Sequence, residues 1–142
     1  MVGLEWTDQL SVGNAILDSE HRNLLNMVDS VVHAIRAREK SALLLAFKML
    51  EDWLCVHFAN EEKIAQAINF PFLQQRQLHQ YALKELHHLR DELSAKDGSW
   101  SESAAEHYAR FLKNWIVDEH IVRFDMPMKP ALQKYPYDFL PG

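Results

Sequence analysis

The 142-residue chain contains eight histidines and one cysteine, and the histidines separate into two groups once they are set against the apolar pattern. Four occupy positions where a helix face otherwise carries Leu, Ile, Val or Phe. His21 interrupts the series Leu17, Leu24, Val28, Val31, Ile35. His57, with Glu61, interrupts Leu43, Phe47, Leu50, Leu54, Ile64, Ile68. His79 heads Leu83, Leu86, Leu89, Leu93, and His120 follows Ala105, Tyr108, Leu112, Trp115, Ile116. A polar group buried without a partner costs about 1–3 kcal/mol, and an unpaired carboxylate more. Such groups converging on one core need something inside to satisfy them, and a metal cation would do so.

Spacing supports that reading. His57 and Glu61 lie four apart, on one helical face with Cβ atoms roughly 5–6 Å from each other, which suits one metal or two neighbouring metals. His120 and Asp125 bring a second imidazole–carboxylate combination to the end of the last apolar series, just before Pro127. Both carboxylates could bridge two ions. Imidazole-rich ligation with carboxylate suits iron, zinc, copper or nickel more than magnesium or calcium, and with no convergent cysteine a thiolate zinc site is disfavoured. His33, His88 and His107 fall off the stripes and read as solvated; His87 lies eight residues from His79, about 12 Å along the axis, and is left out. Glu62 points outward or backs a ligand. Trp53, Phe47, Phe58, Leu54 and Trp115 read as core packing that could also wall the site, and Cys55 reads as an inert buried thiol.

These residues require long helices to position them, and the 4-3-4-3 steps of the apolar series supply four. The first begins near Leu17, with Asp18 or Ser19 as N-cap. The second runs from about Ser41 to Ile68 and is ended by Asn69-Phe70-Pro71. A third spans about Gln74 to Leu93, closed by Lys96-Asp97-Gly98-Ser99. The fourth starts at Ser101-Glu102 and is broken after Asp125 by Pro127 and Pro130. Four helices of about 20 residues, each about 30 Å long, predict an all-α, up-down-up-down antiparallel four-helix bundle with an N-terminal arm. The bundle domain is expected over residues 1–134, with 135–142 as an irregular tail or the start of a linker.

Composition narrows the partners. Hydrophobic residues make up 48% and charged ones 25%, as in soluble globular proteins. With 15 Lys+Arg against 20 Asp+Glu, a net charge of −5 and no basic cluster, no nucleic acid or anionic membrane is expected as a partner. No apolar run is long enough for a spanning helix, and with a lone cysteine and no apolar leader the expected location is the cytoplasm.

In order along the chain stand Trp6, Val12-Gly13-Asn14-Ala15-Ile16, Asp18-Ser19-Glu20-His21, His57-Phe58-Ala59-Asn60-Glu61-Glu62, Phe70-Pro71, and His120-Ile121 with Asp125. This ordered set resembles the bacterial hemerythrin family over nearly the whole chain. The resemblance implies two non-heme iron ions, bridged by the carboxylates of Glu61 and Asp125 and by an oxo or hydroxo group, with His21, His57 and His120 as further ligands. It also implies dioxygen or small anions as what the iron pair binds. The family pattern continues with HxxxH on the third helix, and here the sequence departs. Ungapped counting from Pro71 puts Arg76 and Gln80 in those places; a three-residue insertion puts His79 and Leu83 there, keeping one ligand, His79, and leaving Leu83 facing an iron. An iron so exposed to water and anions favours oxygen or redox sensing over storage or delivery. The domain itself is not expected to be an enzyme, since the chain has one inward Glu and no Glu-x-x-His motif placed to serve as in ferritin-like di-iron proteins. Such domains also occur in front of signalling domains such as diguanylate cyclases, so a C-terminal signalling partner is a further expectation.

Overall fold

The protein is described from a computed structural model covering residues 6–115, 120 and 125–141. Four long helices account for most of it: α1 (Ala15–Ala37), α2 (Lys40–Ala67), α3 (Leu73–Lys96) and α4 (Glu102–Asn114), with a short α5 (Lys129–Leu132) following a 3₁₀ turn at Met126–Met128. The described residues contain no strand, and α1 to α4 form the antiparallel four-helix bundle that the periodicity predicts.

Local chemistry sets the helix ends. Asn14, not Asp18 or Ser19, caps α1, accepting from the N–H groups of Ile16 and Leu17 at 3.0 and 3.1 Å. The helix therefore begins earlier than the apolar series suggests, because Gly13, at φ +87°, turns the chain into a strong Asn cap. Asp18 is instead buried and ties the arm down, accepting from the Val12 N–H at 2.9 Å and the Tyr137 hydroxyl at 2.8 Å. At the far end of the bundle the α1–α2 turn, with Arg38 left-handed at φ 56°, abuts the α3–α4 turn, where Asp97 and Gly98 are also left-handed. Trp100 locks the two turns together by donating to the Ile35 carbonyl at 2.9 Å.

The end of the fourth helix differs from expectation. Its α-helical part stops at Asn114, and Trp115, His120 and Asp125 carry the wider π-type backbone. Residues 116–119 and 121–124, including Ile116 and Ile121, lie outside the described residues, as do Met1–Glu5 of the arm. Pro127 and Pro130 do not end the helical path. They sit in the first turns of the 3₁₀ segment and of α5, where the missing N–H has no helical partner to lose. Residues 135–141 form no helix and are fixed to the start of α1: the Ala15 N–H donates to the Tyr137 carbonyl at 2.8 Å, and Asn14 Nδ2 to the Phe139 carbonyl at 3.2 Å.

The core is in two parts. A larger apolar cluster runs from Leu24 to Ile35 on α1 across Leu43–Phe58, Leu86–Leu93 and Ala105–Leu112. A smaller one joins Val12, Leu17, Ile64, Ile68, Phe72, Met128 and Leu132 at the other end. Between them, one layer thick, lie the inward polar residues.

Candidate metal centre

Each helix contributes to that layer by the register of its own stripe. His21 falls between Leu17 and Leu24, His57 and Glu61 between Leu54 and Ile64, His79 between Phe72 and Leu86, and His120 and Asp125 between Leu112 and Met128. His21, His57, Glu61 and Asp125 are fully buried, and His79 and His120 are 7% and 5% exposed. His120 and Asp125, five apart in sequence, both carry π-type backbone, and both side chains reach the same cluster.

Glu61 is the hub. Its Oε2 lies 2.9 Å from His57 Nε2, 3.6 Å from His120 Nε2 and 4.0 Å from His21 Nε2, while Oε1 lies 3.3 Å from His79 Nε2. Asp125 Oδ2 lies 2.8 Å from His21 Nε2 and 3.0 Å from His120 Nε2. Yet neither Glu61 oxygen is in line for a hydrogen bond, and His79 Nε2 and Asp125 Oδ1 also lack one. Short separations without hydrogen-bond alignment arise when lone pairs converge on a common point rather than on one another. Ligand atoms from His21, His57, Glu61, His120 and Asp125 all lie within 4.8 Å of one another. Asp125 Oδ2 is hydrogen-bonded to His21 Nε2, but both Glu61 oxygens and Asp125 Oδ1 are buried between two apolar layers without a hydrogen bond, which fits a bound cation, and the imidazole–carboxylate set fits iron.

Sequence reasoning missed the group that orients His57. Glu20, buried, accepts from His57 Nδ1–H at 2.8 Å and from Asn60 Nδ2 at 2.6 Å, which fixes the imidazole ring with Nδ1 protonated and Nε2 facing the cluster. The only sequence signal for Glu20 is its place beside His21, one residue off the apolar stripe. Trp53 Nε1 also donates to the Glu20 carbonyl, at 3.3 Å.

The side chains set opposed proton affinities. Burial, then the neighbouring His57 and His120, hold His21 well below the usual imidazole range, which keeps it neutral. His57 is also opposed by burial, but the Glu20 and Glu61 carboxylates overcome it and raise the group to about 10. Burial, the largest single influence, would raise Asp125; His120, Glu61 and His57 together outweigh it, and the carboxyl stays below its ordinary value. His57 would have to give up a proton to hold a cation here, so metal binding at this residue would be coupled to proton release.

On α3, His79 stacks flat on Phe58, with ring centroids 3.7 Å apart and planes 6° from parallel. Arg76 and Gln80, the ungapped candidates, are exposed, and Arg76 is held outside by Glu62, with Nε 2.6 Å from Oε1. Leu83 departs from expectation: it is half-buried against the larger apolar cluster. The buried stripe of α3 is Gln75, His79, Ala82, Leu86, Leu89, Leu93, so the polar residue one turn from His79 on that face is Gln75. The 3.6-residue period allows position 82 or 83 inward, and the larger Leu83 misleads a reading by hydrophobicity. His33, His87, His88 and His107 are exposed, and Cys55, expected to be buried, is exposed as well, one position past Leu54 on the outward side of α2.

Comparison with known proteins agrees with this arrangement. The bacteriohemerythrin of Pseudomonas aeruginosa is 22% identical over 117 residues, 82% of this chain and 73% of its own. A hemerythrin-like protein of Naegleria gruberi is 28% identical over 127 residues, covering 89% and 92%. The crystal structure of a hemerythrin mutant superposes with a TM-score of 0.76 at 20% identity, over 93% of this chain and 98% of that one, a likeness of fold. The family described as hemerythrin HHE cation binding domain matches residues 12–132, and the chain belongs to it as a bacterial hemerythrin-like domain.

Proposed function

We propose that His21, His57, Glu61, His79, His120 and Asp125 hold two non-heme irons, with Glu61 and Asp125 bridging them, and that the domain binds dioxygen to sense oxygen or redox state. The observation that carries this is the position of Glu61, whose two oxygens address different imidazoles, Oε1 towards His79 and Oε2 towards His57. When bound, an iron pair supplies the electrons that dioxygen accepts. The protein supplies the rest. Glu20 fixes the face of His57, Phe58 fixes the plane of His79, and the apolar layers on either side exclude bulk water, which strengthens every electrostatic interaction inside.

Sensing rather than storage is favoured by α3, whose buried face offers one imidazole and leaves small molecules a path to that side of the site. No described helix is long and apolar enough to cross a membrane. We place the protein in the cytoplasm, where the exposed Cys55 thiol stays reduced. We also take residues 1–134 as the functional unit.

The test is an iron assay with an optical spectrum before and after dithionite. About two irons per chain, with near-ultraviolet charge-transfer bands that vanish on reduction, is the expected result. Zinc alone in an iron-replete preparation, with no redox-sensitive band, would overturn the proposal.

A further inference from the structure

α2 packs against α1 and α3 and leaves its remaining side to solvent. The ridge of that outward side reads Met49, Asp52, Val56, Ala59, Lys63 and Gln66, in steps of three and four that keep one helical face. All six are exposed, Met49 at 52% and Val56 at 51%. The run is symmetric in position and opposite in charge about its own middle. Counted outward from the point between His57 and Phe58, Val56 and Ala59 are equidistant, as are Asp52 and Lys63, and Met49 and Gln66.

A helix laid antiparallel on a copy of itself, with a two-fold axis at that point, sets each residue against its equidistant mate. Asp52 of each copy then faces Lys63 of the other, so the ion pair forms twice. Val56 and Ala59 meet at the crossing, where short side chains let two helix axes approach to the usual ~8–10 Å. Parallel pairing in register would set Asp52 against Asp52 and Lys63 against Lys63, which repel. Both charges are available. Asp52 meets Lys48 of its own helix at 3.1 Å, but those side chains are 68% and 72% exposed and the pair is weak, and Lys63 makes no ion pair among the described residues. A face complementary to itself needs no other partner than a second copy. The net charge of −5 opposes self-association in general, and Met49 to Gln66 spans only about 25 Å of helix, so the contact belongs to the small, reversible class of interfaces.

We propose that the chain forms a reversible antiparallel dimer through the outward face of α2, held by two symmetric Asp52–Lys63 ion pairs about a Val56–Ala59 centre. His57 and Glu61 are buried on the other side of the same turns, so the pairing does not depend on how many irons the cluster holds.

Sedimentation velocity of the metal-loaded protein between about 10 µM and about 1 mM tests it, in the range where weak interfaces associate. A concentration-dependent shift from monomer to dimer is expected. Asp52→Lys and Lys63→Glu should each weaken dimerisation at least fivefold, and the double variant should restore it to within twofold, because the swapped charges again face each other. A cross-link fixes the register. In a Cys55→Ser background, Val56→Cys places two thiols about 4.5 Å apart along the paired helices and should give a disulfide-linked dimer under mild oxidation, whereas Leu45→Cys, about 38 Å from its mate, should stay monomeric. A monomer throughout the concentration range would overturn the proposal and leave the face to a different protein. So would a dimer that neither charge variant weakens, one that the double variant fails to restore, or equal cross-linking through positions 45 and 56.

Discussion

Replacing Glu20 tests whether the cluster depends on the carboxylate behind it. Glu20→Ala removes the acceptor of two bonds at once, from His57 Nδ1 at 2.8 Å and Asn60 Nδ2 at 2.6 Å. His57 is then free to rotate or change tautomer, and its Nε2 lone pair no longer has a fixed aim. Partners of this kind contribute about 10- to 100-fold to metal affinity, or about 1.4–2.8 kcal/mol. A separate folding cost follows from the stranded donors, about 1–3 kcal/mol for the fully buried His57 and nearer the lower bound for the half-buried Asn60. Glu20→Gln keeps an amide oxygen for the His57 Nδ1–H and lets Asn60 flip to present its own oxygen, so only the charge is lost. The expected order of Fe(II) affinity is therefore wild type, then Glu20→Gln within about tenfold, then Glu20→Ala lower by about 10- to 100-fold. Anaerobic competition against chelators of graded strength reads that order directly, and thermal unfolding of the same variants separates the folding cost. If Glu20→Ala bound Fe(II) within threefold of wild type, the orienting role assigned to Glu20 would be wrong.

Gln75→His should add an imidazole one turn from His79 on the buried face, keeping iron content and slowing oxidation of the reduced protein, whereas Leu83→His should lower stability without that effect; stopped-flow oxidation with iron assays distinguishes the two. Leu54→Ala, at a fully buried position of the larger cluster, should cost about 2–5 kcal/mol in chemical denaturation. Gly98→Ala should destabilise by about 1 kcal/mol or more, since φ is +84° and the added Cβ would stand 2.9 Å from the Arg38 carbonyl oxygen; an unchanged melting temperature would show that the paired turns have slack.

The linear chain determined a good deal about this protein. Apolar steps of four and three dictate helices, and polar residues on those steps, His21, His57, Glu61, His79 and His120, must be buried wherever the helices pack. That follows from local geometry alone, because a 3.6-residue period assigns each side chain to a face. The period does not say what lies opposite that face or how far the helix is rotated about its axis. Glu20 therefore escaped notice: it sits one residue off the stripe of α1 and becomes a partner of His57 only when α2 packs alongside. The choice between Ala82 and Leu83, about 100° apart on α3, was likewise settled by packing against its neighbours, and with it a cavity at the His79 end. Cys55 and the prolines at 127 and 130 make the same point at smaller scale. A residue beside a buried position can face water, and a helix-breaking residue can begin the next turn, because the rest of the fold decides which backbone and side-chain groups need partners.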